Sequence, residues 1–202
     1  MKAVLVNDDR SLSWSDVNDP VLKDEEVLVK VNYAALNRAD LMQREGDYPP
    51  PPGCPDWMGL EISGEIVEIA DGAKNKSNWK LGDKVCALLG GGGYAEYVAV
   101  KYDMLMPVPE NCTMAEAAAI PEAFATAYLN LFREGGIKSG DTLLMHAGAS
   151  GLASVVIPMA KAFGIRVITT VLSDEIARSI SHLNADIVVN TAKENIVDTY
   201  DD

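Results

Sequence analysis

The chain has 202 residues, 48% of them hydrophobic, enough for one large domain or two small ones with a buried core. Its 17 Lys and Arg against 30 Asp and Glu leave a net charge of −13, which excludes a broad nucleic-acid surface, because phosphate contacts need clustered cations. No apolar run approaches the roughly 18–20 residues of a membrane span, and the one after Met1 is too short for a signal peptide, so a cytoplasmic protein without membrane contact is expected.

The first part of the chain reads as β-rich. Residues 1–6 predict a strand, and Glu26–Ala34 alternates with Val27, Val29 and Val31 on one face. Residues 37–44 predict a short helix ended by Gly46. The run Pro49-Pro50-Pro51-Pro52-Gly53 lacks the N–H groups a sheet needs and predicts an extended loop. Residues 61–69 form a strand in which Gly64 marks a close approach of other atoms, residues 84–89 form another, and Gly90-Gly91-Gly92-Gly93 turns into a further run over 94–100. Several short strands with turn signals predict a small barrel.

The character changes near residue 113. Thr113-Met114-Ala115-Glu116 has the form of a capping box and opens an Ala-rich helix. That helix is broken at Pro121, resumes to about Arg133, and is stopped by Gly135-Gly136. From Lys138 strand and helix alternate. Thr142-Leu143-Leu144-Met145 reads as a buried strand, and residues 164–171 as a β-branched one. A helix over 174–183 ends before Asn184, which tolerates the left-handed cap, and residues 186–190 form a last strand. The expected domains are 1–112 and 113–202.

The turn His146-Ala147-Gly148-Ala149-Ser150-Gly151-Leu152-Ala153 lies between the first strand of the second domain and a helix. Strand, Gly-rich turn and helix place backbone N–H groups and a positive dipole end at one point, which suits a pyrophosphate. The spacing Gly148-x-x-Gly151-x-Ala153 departs from G-x-G-x-x-G, and a plain βα turn is the alternative; the completed βαβ unit favours dinucleotide binding. Pro158 sits inside the helix and removes its bond to residue 154, at about 3 kcal/mol unless a kink absorbs it. A doubly wound sheet uses about six strands and only about three are present, so a fragment or a truncated gene product is expected.

Cys54, Cys86 and Cys112 make no CxxC pair, and His146 and His182 are the only histidines, so no zinc or redox motif is present. Cys86, in an apolar run, reads as a core residue.

Taken together, residues 35–44, Pro50-Pro51-Pro52-Gly53, Gly59-Leu60-Glu61-Ile62-Ser63-Gly64, Leu88-Leu89-Gly90-Gly91-Gly92, Ala118-Ala119-Ile120-Pro121-Glu122-Ala123 and His146-Ala147-Gly148 resemble, in order and over nearly the whole chain, the zinc-free quinone oxidoreductase branch of the medium-chain dehydrogenase/reductase superfamily. The resemblance implies α/β plus β architecture: a GroES-like β-barrel catalytic domain followed by an incomplete Rossmann domain. It implies NAD(P)H-dependent hydride transfer to a quinone or enone and a family homodimer, whose contacts lie largely beyond this chain. Where zinc-dependent relatives carry a Cys and a His, this sequence has Asn37 and Leu60. The rival expectations are an enoyl-thioester reductase of the same superfamily, and a truncated, inactive chain that only associates.

The same resemblance implies site residues. Gly148, Ala149, Ser150, Gly151 and Leu152, with His146, fall at the pyrophosphate turn; Ala153 replaces a common glycine, and its methyl is either tolerated or pushes the helix away. Thr126 falls near the nicotinamide, or else bonds its own helix backbone. Asn37 faces the nicotinamide and substrate, while Asp40 holds local structure. Tyr48 borders the cleft and stacks on a quinone or donates a proton, or is a loop tyrosine with no role. Relatives prefer NADPH through a serine and a basic residue; Ser173 matches the serine and Arg178 lies one helical turn on. Asp174 and Glu175 would repel a 2′-phosphate and keep NADH open.

Overall fold

The computed structural model describes residues 1–196. The chain divides into two compact units, Met1–Glu122 and the residues from Ala123 onward.

In the first unit, β1 (Lys2–Val6) and β2 (Leu12–Asp16) form an antiparallel hairpin. The remaining strands are β3 (Glu26–Ala34), β4 (Glu61–Ile69), β5 (Lys84–Leu88), β6 (Tyr97–Lys101) and β7 (Leu105–Pro107). They make a five-stranded antiparallel sheet in the order β6-β3-β4-β5-β7. The hairpin is joined to it by an Ala3–Ala95 bridge and by the bond from Val4 N–H to the Tyr94 carbonyl. Val27 and Val29 of β3 pack with Ile62, Ile66, Val85, Val98 and Val100 in the core, as the period-2 pattern requires. At Gly64 a Cβ would lie 2.3 Å from the Lys30 carbonyl oxygen, so the close approach expected there is real.

Helix α1 (Arg38–Glu45) starts at Asn37 and ends on Gly46, whose φ of 90° closes the helix in the left-handed region. The sequence reading omitted β2, β7 and the short α2 (Asp71–Lys76). The run over 94–100 becomes strand only from Tyr97. Helix α3 (Met114–Ala118) carries the expected Thr113–Glu116 capping box. Ser63 Oγ donates to the Met114 carbonyl at 2.5 Å, so α3 stays with the first unit's sheet and the unit boundary falls after Glu122.

Helix α4 (Pro121–Tyr128) does not continue as α-helix to Arg133. Leu129–Glu134 is π-helical, with the Gly135 N–H bonding back to the Asn130 carbonyl. In the second unit, β8 (Thr142–Met145), β9 (Arg166–Val171) and β10 (Ile187–Asn190) form a parallel sheet in the order β10-β9-β8.

Helix α5 (Gly151–Ala162) links β8 to β9 and packs Ala153, Ile157 and Ala160 against Ile165 and Val167. Ala153 is fully buried there, so its methyl is accommodated as core. Pro158 and Ser154 both lie on the exposed face of α5, so the carbonyl that loses its helical donor is on the solvent side of the helix. The helix predicted over 174–183 divides into α6 (Asp174–Ser179) and a 3₁₀ turn, Ser181–Leu183, which ends on Asn184 at φ 61°.

Candidate functional site

Two pockets, one in each unit, contain the residues singled out by the sequence. In the second unit a cavity of about 400 Å³ is lined by Gly148, Ala149 and Ser150 on one side and Thr170, Leu172 and Ile176 on the other. It opens where β8 and β9 end, the position at which parallel sheets receive ligands. The turn is held to β9 by local bonds. Gly148 N–H donates to the Thr170 carbonyl at 2.8 Å, and Ala147 N–H to Thr170 Oγ1 at 3.3 Å. Ala147 adopts φ 55°, a strained conformation for a residue with a Cβ.

The two glycines have different reasons to be glycine. A Cβ on Gly148 would sit 2.4 Å from Thr169 Oγ1 and 3.0 Å from Ile180 Cδ1, so Gly148 lets the turn lie on β9. A Cβ on Gly151 would meet nothing within 4 Å. Ser150 Oγ accepts from Ala153 N–H at 3.1 Å and caps α5. The N–H groups of Gly151 and Leu152, in the first turn of α5, lack helical partners and form the positive dipole end. The cavity at Gly148, Ala149 and Ser150 and the two N–H groups that follow it in the chain together offer what a pyrophosphate would need.

The other cofactor residues divide. His146 Nδ1 lies 3.1 Å from Thr170 Oγ1, beside the turn. Ser173 caps α6, accepting from Ile176 N–H at 3.2 Å. Arg178 is exposed and does not line the cavity. The Thr126 hydroxyl makes no hydrogen bond among the described residues; the Thr126 carbonyl accepts from Asn130 Nδ2 at 2.8 Å. Asp174 is turned back onto the end of β10, where Oδ1 accepts from Asn190 Nδ2 at 2.6 Å and Oδ2 from Lys193 Nζ. These bonds, that to Lys193 foremost, hold its carboxyl below the usual range. Glu175 is exposed and has no partner among the described residues.

In the first unit an apolar pocket of about 340 Å³ is lined by Leu36, Asn37, Asp40, Leu41, Met58 and Tyr94, with Arg38 and Arg44 at its wall. Asp40 is 4% exposed and organises the polar side of the pocket. Its Oδ2 accepts from Asn37 N–H at 2.7 Å and from Tyr94 Oη at 2.7 Å, and its Oδ1 accepts from Gly59 N–H at 3.3 Å. Burial, then the Asp40 carboxylate, pushes the Tyr94 phenol far above its ordinary pKa.

Asn37 Nδ2 donates to Glu61 Oε1 at 2.8 Å, and Glu61 Oε2 accepts from Glu122 N–H at 2.9 Å. Tyr48 is half exposed, lies outside the lining of this pocket and makes no hydrogen bond among the described residues. Glu61 and Tyr94 are the residues the sequence reading passed over. The signal for Glu61 is an acid placed where β4 is otherwise buried; Tyr94 directly follows a run of glycines. No cluster of three or more His, Cys, Asp or Glu side chains able to hold a metal occurs among the described residues.

Residues 23–110 match the alcohol dehydrogenase GroES-like domain. An alcohol dehydrogenase of Geobacillus stearothermophilus is 33% identical, over 98% of this chain and 65% of its own length. The structure of the quinone oxidoreductase of Coxiella burnetii superposes with a TM-score of 0.83 at 30% identity, over 98% of this chain and 65% of that one. A mycobacterial structure complexed with NADPH superposes with a TM-score of 0.82 at 29% identity, over 94% of this chain and 58% of that one. In each case the chain spans less than two thirds of the other protein's length. With a GroES-like first unit and a Rossmann-like parallel sheet in its second, the chain has the medium-chain dehydrogenase/reductase fold, as far as it extends.

Proposed function

We propose that the protein is an NAD(P)H-dependent oxidoreductase that reduces a quinone or another activated carbonyl by direct hydride transfer. The observation that carries this reading is the turn at Gly148–Gly151, which lines a cavity and runs into α5, where the Gly151 and Leu152 N–H groups have no partner among the described residues and a Cβ on Gly151 would meet nothing within 4 Å. The names of the superposed structures support it: one is a quinone oxidoreductase and another is complexed with NADPH.

In this reading Gly148, Ala149, Ser150, Gly151 and Leu152 hold the pyrophosphate through backbone N–H groups, and His146 flanks it. Ser173 and Arg178 meet the adenosine ribose, and Thr126 meets the nicotinamide. When bound, the nicotinamide supplies the hydride. The chain's part is to orient the acceptor and exclude water from it. Asn37, in an apolar pocket whose size suits a small ring compound, meets the acceptor's carbonyl oxygen. Hydride transfer leaves a hydroquinone anion, which takes its proton from solvent once the site opens, so no strong side-chain acid is required.

NADPH is the proposed cofactor. Asp174 is paired with Lys193 and accepts a hydrogen bond from Asn190, which leaves Glu175 as the unpaired acid that opposes a 2′-phosphate. The same reading places the protein in the cytoplasm; no helix among the described residues is long and apolar enough to cross a membrane.

The test is loss of reduced-nicotinamide absorbance with para-benzoquinone and, separately, with an enoyl thioester. Oxidation with the quinone supports the reading. Oxidation with the enoyl thioester alone moves the assignment to a thioester reductase, and no oxidation with either overturns it.

A further inference from the structure

We propose that Glu61 is a positioning residue: it holds the Asn37 side-chain amide in one of its two orientations, leaving the second N–H of that amide to donate to a substrate carbonyl oxygen. This rests on the reading of Asn37 as the residue that meets the acceptor.

Glu61 is 2% exposed, on β4 next to the fully buried Ile62. Each of its oxygens has a single donor, Asn37 Nδ2 at 2.8 Å and Glu122 N–H at 2.9 Å. Among the described residues no Lys, Arg or His pairs with it. A buried carboxylate without a cation is costly, and an apolar side chain in its place would serve a mere core better. An ionised carboxylate can only accept. Facing Glu61, Asn37 must therefore turn its NH₂ toward it and its carbonyl away.

On the backbone side, Asn37 is the N-cap of α1, where its N–H donates to Asp40 Oδ2 at 2.7 Å. One N–H of the amide is thus committed to Glu61 and the other is not. Asn37 lines the apolar pocket, where a carbonyl oxygen would be the complementary group. The Glu122 N–H, in the first turn of α4, has no helical acceptor and donates to Glu61 instead, so the helix end fixes Glu61 as Glu61 fixes Asn37.

The constraint depends on the charge of Glu61. Asp40 of α1 and Glu122 of α4 both face it with like charge, and the Tyr94 phenol and Cys86 thiol are the other titratable groups close enough to interact with it. Burial, more than any of these, raises its pKa. Once protonated, Glu61 can donate to the Asn37 carbonyl, and both amide orientations become acceptable.

Two readouts on the full chain test this. In nitrogen-15 spectra the Asn37 side-chain NH₂ resonances should move as the pH falls through a raised carboxyl pKa, and Glu61→Gln should abolish that movement. With para-benzoquinone and NADPH, kcat/KM should fall on the acid side in the wild type. In Glu61→Gln it should be lower by about tenfold and lack that limb, while the Kd for NADPH is unchanged. Asn37 resonances that are insensitive to pH in the wild type overturn the proposal, with no variant needed. So does an acid limb that persists in Glu61→Gln. If the wild type oxidises no NADPH with a quinone, it is the oxidoreductase reading that fails, and the Asn37 titration still decides the role of Glu61.

Discussion

The Tyr94 hydroxyl donates to Asp40 Oδ2 at 2.7 Å, and the same oxygen accepts the backbone N–H of Asn37, so one buried carboxylate ties α1 to the loop before β6. The phenol's raised pKa makes this a pH-dependent support. The unfolded tyrosine loses its proton near pH 10 and the folded one holds it above that. Its contribution is therefore whole below about pH 10 and is lost as pH rises from there toward the folded value. Tyr94→Phe should cost about 1–2 kcal/mol at neutral pH and flatten the alkaline limb of stability measured by urea unfolding. An unchanged alkaline limb would show that Asp40 does not depend on Tyr94.

What could be read from the sequence and what could not follow from the range of the interactions. The alternation of Val27 and Val29, the Thr113–Glu116 box and the left-handed Asn184 are set by neighbours a few residues away, and all are present. Strand β2 was missed because Leu12 and Trp14 stay about half exposed, so no buried face marks it. Glu61 has no role legible in the sequence, because Asn37 and Glu122, which close on it, lie far away in the chain. Asp174 reads as a charge opposing NADPH until its pairing with Lys193, beyond β10, is known.

Substituting the two glycines of the nucleotide turn should separate stability from binding. Gly148→Ala drives a methyl to 2.4 Å from Thr169 Oγ1 and should cost about 1–3 kcal/mol in urea unfolding. Gly151→Ala meets nothing in the fold and should leave stability within about 0.5 kcal/mol or raise it slightly, while weakening cofactor binding. Equal destabilisation by both would contradict the assignment of different roles.

Glu175 should set cofactor preference. It is exposed and unpaired, whereas Asp174 is engaged by Asn190 and Lys193. Glu175→Lys should raise the NADPH-to-NADH affinity ratio by about tenfold, or 1.4 kcal/mol, in calorimetric titrations. A wild-type preference for NADH that Glu175→Lys leaves unchanged would remove NADPH from the account.

Asp186 joins α5 to β9, with Oδ2 accepting Val167 N–H at 2.6 Å and Oδ1 accepting Lys161 Nζ at 2.5 Å. The Lys161 bond, then the Val167 bond, lowers its pKa. Its contribution is present above the unfolded pKa of about 4 and is lost as pH falls through the lower folded value. Asp186→Asn should cost about 1 kcal/mol or less at neutral pH, because the pair is partly solvated, and should reduce the steepness of acid unfolding. An acid limb identical to that of the wild type would place the acid sensitivity elsewhere.

The central claim is that the turn at Gly148–Gly151 holds a dinucleotide, and it is tested most directly by calorimetric titration of the 202-residue chain and of Gly151→Val with NADPH. The account predicts saturable binding to the wild type and at least about tenfold weaker binding to the variant, with both folded by circular dichroism. No binding to the folded wild type, or equal binding to both, would contradict it.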